Sequence, residues 1–275
     1  MDTTDTLSVL LPKLVKGIVN AVHDCFALID QNYKILWINK ALEQKGFILK
    51  DIQGEDFFRA FENLETIPQD HPTFLAMQTN ETQEAIRKGL DGSSYLIISI
   101  PIQTQEGTYI LEMSREIKAS ENHEAQKAKQ ETSAIRDSKK SDRNLPFEKV
   151  SEHTFDSVLI TDLKYNVIYA NSSFEQLTGY DRQSMLGQPP LIFKRSMKNV
   201  GVDKEFWKTI LNGRIWKQNS ERTNASGAQY FTEMKVVPLS DNLGTIHHYL
   251  VIEKNITGER NMHDDLEKYQ LIAQS

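Results

Sequence analysis

Residues 158–187 read VLITDLKYNVIYANSSFEQLTGYDRQSMLG, and this stretch decides the fold. Val158 to Thr161 is a short apolar run, and Asp162-Leu163-Lys164-Tyr165-Asn166 carries turn chemistry. Val167 to Ala170 is a second β-branched and aromatic run, so the spacing predicts two strands joined by a tight turn. Asn171-Ser172-Ser173 then supplies a helix N-cap, with Glu175 near the position of a capping-box acid. Phe174 and Leu177 are the apolar positions of a short helix. Gly179 stops it, because glycine enters the left-handed conformation of a helix terminus without a Cβ penalty.

The same pattern occurs earlier in the chain. Phe26 to Asp30, Asn32-Tyr33 and Lys34 to Asn39 repeat it, followed by a helix to Gly46 and a second glycine at Gly54. Asp30 and Asp162 are 132 residues apart, as are Asn39 and Asn171, while Gly46 and Gly54 lie 133 residues before Gly179 and Gly187. Fixed offsets across these markers indicate an internal duplication. Two modules fit the 275-residue length. A domain of about 110 residues buries a little over 60% of its unfolded-chain surface, enough for one small core each.

The pattern Asp162, Ile168, Tyr169-Ala170-Asn171, Phe174, Thr178-Gly179-Tyr180 and Gly187 resembles the opening of a PAS domain, a sensory and interaction module of bacterial signalling proteins. Trp207, Ile210, Gly213 and Trp216, then Arg222, Gly227 and Tyr230, and then Val237-Pro238-Leu239, Asp241 and Gly244 resemble its second half. Asn255-Ile256-Thr257 stands where the family usually has an Asp-Ile-Thr junction to an output helix. The resemblance covers 22–118 and 146–257. It implies an α+β chain of two PAS domains, each a five-stranded antiparallel sheet flanked by short helices.

The organisation expected is an N-terminal amphipathic helix within 1–24, a first PAS domain over 25–118, a helical polar linker over 119–145, a second PAS domain over 146–257, and an output-helix or coiled-coil stub over 258–275. The N-terminal helix carries Leu7, Leu10, Leu11, Leu14, Val15, Ile18, Val19 and Val22 at helical spacing, which suits either a cover for its own domain or a dimer contact. The linker is rich in Lys, Glu, Gln, Ser and Ala. Thr73 to Lys88 reads as a helix stopped by Gly89. Met262, Leu266, Tyr269 and Ala273 fall at 4-3-4 spacing near the end.

The net charge of −6 speaks against a nucleic-acid grip. A single cysteine, Cys25, rules out an intrachain disulfide and fits a reducing, cytoplasmic setting. The apolar stretch from Leu7 to Ile29 is broken by Lys13, Lys16, His23 and Asp24, so no membrane span is expected. Phosphate-binding glycine loops, nucleophile elbows and metal-ligand spacings are missing, and the expectation is a regulatory region without catalysis. His263 lacks the neighbours of a phospho-acceptor histidine. His247 and His248 are adjacent on a predicted strand and point to opposite faces.

The resemblance also frames the cofactors. Photoreactive flavin members carry a cysteine in a loop that here reads Gly187-Gln188-Pro189-Pro190-Leu191, and haem members carry a histidine in a helix that here runs Asp203–Asn212. Neither group is expected, and His71 is a poor alternative for haem. Redox-sensing flavin members match at Trp207 and Trp216 and depart at Leu159, Pro190 and Arg222, which leaves FAD as one candidate and the cofactor unknown. Trp207, Trp216, Leu159, Arg222 and Tyr169 are the candidate pocket residues of the second domain. Arg222 and Lys235 would suit a carboxylate, although Arg222 also suits the solvent face of its strand. The first domain's pocket is expected among Leu28, Trp37, Phe57 and Phe58, with no evident polar anchor. The partners implied are a second copy of the chain and an effector domain or signalling protein. The alternative is a ligand-free scaffold.

Overall fold

A computed structural model describes residues 15–104, 107–117, 146–190, 204–241, 243–263 and 266. They form two five-stranded antiparallel sheets with flanking helices, as the duplication predicts. The strands are β1 (Cys25–Ile29), β2 (Ile35–Ile38), β3 (Gln83–Lys88), β4 (Ser94–Thr104) and β5 (Gly107–Ile117) in the first sheet. The second holds β6 (Ser157–Thr161), β7 (Val167–Ala170), β8 (Trp216–Thr223), β9 (Gln229–Ser240) and β10 (Ile246–Asn255). Their orders are β2-β1-β5-β4-β3 and β7-β6-β10-β9-β8, the same topology twice.

The repeated markers do the same work in both copies. Asp30 Oδ1 accepts from the backbone N–H groups of Asn32 and Lys34, both at 2.8 Å, and Asp162 Oδ1 accepts from those of Lys164 and Asn166 at the same distance. Each turn places a tyrosine in the left-handed region, Tyr33 at φ 59° and Tyr165 at φ 66°. Such a backbone costs a non-glycine residue stability, and here each ring is packed in return. Tyr33 lies 5.5 Å from Phe58, and Tyr165 lies 5.0 Å from Trp207, between ring centroids. Asn39 and Asn171 are fully buried and cap the helices Lys40–Gln44 and Ser172–Thr178.

Three expectations need revision. The segment 73–88 is not one helix: Pro72–Thr79 is helical and ends on Asn80, at φ 55°, and Gln83–Lys88 is a strand paired with Ser94–Ser99. Edge pairing with β4 overrides the helix propensity of Glu84, Ala85 and Arg87. The helix Pro146–His153 groups with the first compact unit, residues 24–153, and not with the second domain. The described residues before Asp24 group with those from Thr154 onward. Within that unit residues 15–21 are helical, Ile18, Val19 and Val22 are buried, and Lys235 Nζ donates to the Ala21 carbonyl at 3.1 Å. The described part of the apolar stripe is therefore buried within this chain, in the compact unit that holds the second copy.

The linker 119–145 and the ends 1–14 and 267–275 lie outside the described residues. Residues 257–263 are helical, with Met262 and Leu266 exposed, while Tyr269 and Ala273 fall outside. Among the described residues no helix is long and apolar enough to cross a membrane.

Candidate functional site

In the second domain, strand register places the candidate residues. Leu159 pairs with Val251, Val251 with Val236, and Val236 with Trp216, so one row crosses four strands on one face. That face packs on Phe206 and Ile210 of the helix Lys204–Leu211, with Trp207 and Trp216 partly buried at its margin. Phe206 meets Trp207 and Trp216 edge-on at 5.1 and 5.7 Å. Leu159, Trp207 and Trp216 are thus brought together in one core cluster. Tyr169 is not: it pairs with Ile160, on the opposite face, while its neighbour Ala170 pairs with Leu159. Pro190 is buried.

Arg222 differs from its solvent-face expectation. It is only 14% exposed, with Nη2 3.5 Å from Glu253 Oε1 and 3.2 Å from the Met234 sulfur. Its strand alternates, and Trp216, Ser220 and Arg222 share the inward parity. Glu253 lies on the same inner face through its pairing with Met234, and burial pushes its carboxyl above the usual range while Arg222 opposes that shift. Lys235 falls on the outer face instead. There it lies 2.9 Å from His23 Nε2, and His23 in turn meets Asp156 at 2.8 Å. His248, paired with Leu239, is also outward; burial lowers its pKa, with His247 adding to the effect. His247 meets Asp241 at 3.0 Å.

The inner face of the second sheet carries polar atoms that, Trp216 apart, sequence reading did not single out. Ser157 Oγ, Thr161 Oγ1, Trp216 Nε1, Ser220 Oγ, Thr232 Oγ1 and Glu253 Oε2 are buried without a hydrogen-bond partner among the described residues. All six belong to inward-parity positions: Thr232 pairs with Ser220, Glu253 with Ser157, and Tyr249 with Thr161. Native interiors leave few buried polar groups unpaired, since each costs about 1–3 kcal/mol. The set mixes hydroxyl, indole N–H and carboxyl groups, spread over four successive rows of that face. The alternating parity of β8, β9 and β10 was the available signal.

The first domain contains a cavity of about 850 Å³. Phe57 lines it and Phe58 packs in the adjoining core, but Leu28 and Trp37 do not belong there. These two pair with each other across β1 and β2, on the face opposite Ala27 and Ile29. The polar anchor missing from the sequence reading is Glu112, a lining residue that is 6% exposed and accepts from Thr73 Oγ1. Thr73 Oγ1 is also 3.0 Å from Ser99 Oγ. Both ring nitrogens of His71 are engaged. Nδ1 accepts from the Thr73 N–H at 3.1 Å, so Nε2 carries the proton of the neutral ring and donates to Glu62 at 2.7 Å.

At the C-terminal end of β10, Asn255 Oδ1 accepts from the Thr257 N–H and O–H at 3.0 and 2.6 Å, so this asparagine caps the following helix. Thr257 Oγ1 accepts from the Phe231 N–H at 2.9 Å, and the Arg260 guanidinium lies 4.2 Å from the Phe231 ring centroid. Helix 257–263 is thereby tied to β9.

A family model described as the PAS domain matches residues 23–119 and 156–258. The nitrogen fixation regulatory protein of Klebsiella oxytoca is 24% identical over 119 residues, 43% of this chain and 24% of that protein. The bacterioopsin transcriptional activator of Halobacterium salinarum is 21% identical over 220 residues, 78% of this chain and 32% of that protein. This chain therefore spans about a quarter to a third of the length of these relatives. Among solved structures, the PAS domain of a protein from Colwellia psychrerythraea aligns at 25% identity and a TM-score of 0.33, over 40% of this chain and 93% of that one.

Proposed function

We propose, from the premise that this chain belongs to the PAS-domain family and carries the domain twice, that it is the sensory region of a signalling protein whose second domain holds a small polar ligand. The observation that carries this reading is the set of six unpaired polar atoms on one inner face. A ligand offering both donors and acceptors removes that cost, and FAD, with the redox sensing it would bring, is the first candidate. Trp207, Trp216, Leu159 and Arg222 are the proposed ligand neighbours; Tyr169, on the other face, is proposed only as a support for the sheet.

The output runs through Glu253, near the end of β10, to the Asn255 cap and helix 257–263. Two arrangements of sheet and helix exchange, and a ligand shifts them only through differential affinity. Exposed Met262 and Leu266 suit a helix that pairs with a second copy and leads to an effector domain or partner. We assign the chain a regulatory, cytoplasmic role without catalysis of its own.

One observation favours a ligand-free scaffold: Phe206, Trp207, Trp216 and Tyr165 already pack against one another on that face. The two readings separate in a UV–visible spectrum of gently purified protein, followed by mass analysis of what heat denaturation releases. A flavin spectrum, or a stoichiometric released metabolite, supports the sensor. Protein that is colourless and releases nothing refutes the bound-ligand reading in favour of the scaffold.

A further inference from the structure

The cavity of the first domain carries a separate inference. Its charged rim is engaged, though not all in ion pairs: Lys88 Nζ donates to Ser94 Oγ at 2.9 Å and Asp91 accepts from the Tyr95 hydroxyl at 2.8 Å. Lys45 lies 3.7 Å from Glu116, Arg87 lies 3.2 Å from Asp70, and Glu62 is bonded to His71. Glu112 is different. It sits deep in the cavity wall, pairs across the sheet with Ala27 and Ser99, and has only the neutral Thr73 hydroxyl as a hydrogen-bond donor. Among the described residues no cationic nitrogen comes within 4.0 Å of it. The same lining includes Phe47, Phe57 and Phe61, with the Phe47–Phe61 and Phe57–Phe61 centroids 4.6 and 5.3 Å apart.

We propose that this cavity binds a small organic cation, an amine with an apolar body, whose ammonium group pairs with Glu112 while the body packs among Phe47, Phe57 and Phe61. A carboxyl buried without a counter-charge resists ionisation, and a ligand ammonium supplies that counter-charge where the protein does not. Aromatic rings attract a cation as well as an apolar chain. An anion placed at Glu112 would add a like charge beside it, and a neutral molecule would supply no counter-charge for its carboxylate form. The volume lies within the ordinary range for small-molecule sites, about 300–1,000 Å³.

Proton release gives the site a signature. Burial pushes the Glu112 carboxyl up to about 8; the Thr73 hydrogen bond opposes this, Glu62 adds to it, and Arg87 weakly opposes. At pH 7 the acid is mostly protonated, so pairing with an ammonium expels close to one proton. Cys25, also in the lining, is pushed up to about 11 mainly by burial and stays a neutral thiol, so it does not confuse the count.

The test is calorimetric titration of the full chain at pH 7, in two buffers of different ionisation enthalpy, with 4-phenylbutylamine, 4-phenylbutanol and 4-phenylbutyrate. The expected result is one amine per chain, bound at least about tenfold more tightly than the alcohol, with proton release and no binding of the acid. Glu112→Gln should weaken the amine by about ten- to a hundredfold and abolish the proton release. Glu253→Gln, in the other domain, should leave both unchanged. The proposal is overturned if the alcohol binds as tightly as the amine, if no proton is released, if Glu112→Gln keeps the preference, or if no amine binds at millimolar concentration. The comparison of the three ligands on the unaltered chain stands even if Glu112→Gln fails to fold. It is independent of what the second domain releases on heating.

Discussion

Replacing Asn171 by alanine tests the central local argument. Asn171 is fully buried; its Oδ1 accepts from the N–H groups of Val158 and Phe174 at 2.9 and 3.0 Å, and its Nδ2 donates to the Asp156 carbonyl at 3.0 Å. Asn171→Ala strands the Val158 N–H and the Asp156 carbonyl. It leaves the Phe174 N–H with only a 3.2 Å bond to the Asn171 carbonyl. The lost N-cap costs about 1 kcal/mol and the two stranded groups about 1–2 kcal/mol each, roughly 3–5 kcal/mol together. That is a large share of the 5–15 kcal/mol that holds a typical domain. With a urea slope of about 1.5 kcal/mol per molar, the unfolding midpoint should fall by about 2–3 M. Tryptophan fluorescence reads this cleanly in a Trp37→Phe background, because Trp207 and Trp216 both belong to the second domain. A midpoint shift below about 0.5 M at unchanged slope would refute the claim that this side chain ties strand to helix. Asn39→Ala, which loses the equivalent bonds to Phe26, Leu42 and Asp24, should affect the Trp37 signal in the same way.

Three further outcomes are expected. Because Glu112 keeps its proton in the folded first domain up to about pH 8 but loses it near 4.5 when unfolded, that domain should lose stability as pH rises between those values, by at most about 1.4 kcal/mol per unit. Glu112→Gln should flatten that slope in pH-dependent urea titrations. Arg222→Met leaves the buried Glu253 without a cation and should cost about 3–5 kcal/mol at neutral pH. The loss should shrink on acidification, since the raised pKa of Glu253 protonates it early, and Glu253→Gln added to Arg222→Met should recover most of it. Gly179→Ala forces an L-residue to φ +70° and sets its Cβ 3.2 Å from that of Ala225, which should cost about 1–2 kcal/mol by thermal unfolding. Ala225→Gly should relieve only the contact and not the backbone strain.

Glu112 and Glu253 show where sequence reading stopped. Each stands in an apolar strand at a position whose parity marks it as inward: Glu112 two residues from Ile110, and Glu253 two from Val251. Parity was visible, but which parity faces the core depends on the partner strands. The two acids are also not repeat equivalents. Glu112 pairs with Ala27, whose counterpart Leu159 pairs with Val251, not with Glu253. For the same reason the two options for Arg222, pocket or solvent face, stay open in the sequence, because a lone arginine on an edge strand also reads as solvated until Glu253 is placed beside it.

By itself the sequence determined the local grammar. The Asp turns, the Asn caps, the glycine helix end and the 132-residue offset rest on interactions within a few residues, whose chemistry is written in residue type and spacing. The tertiary structure decided everything that needed distant partners. It split residues 73–88 into helix and strand through pairing with β4, put Tyr169 and Lys235 on outer faces, and assigned residues 15–23 to the second compact unit. It also turned two glutamates inward. Strand pairing and burial are set by contacts such as Cys25 with Ser114 and Ser157 with Glu253, far apart along the chain, and a side chain's environment is fixed only when those contacts form.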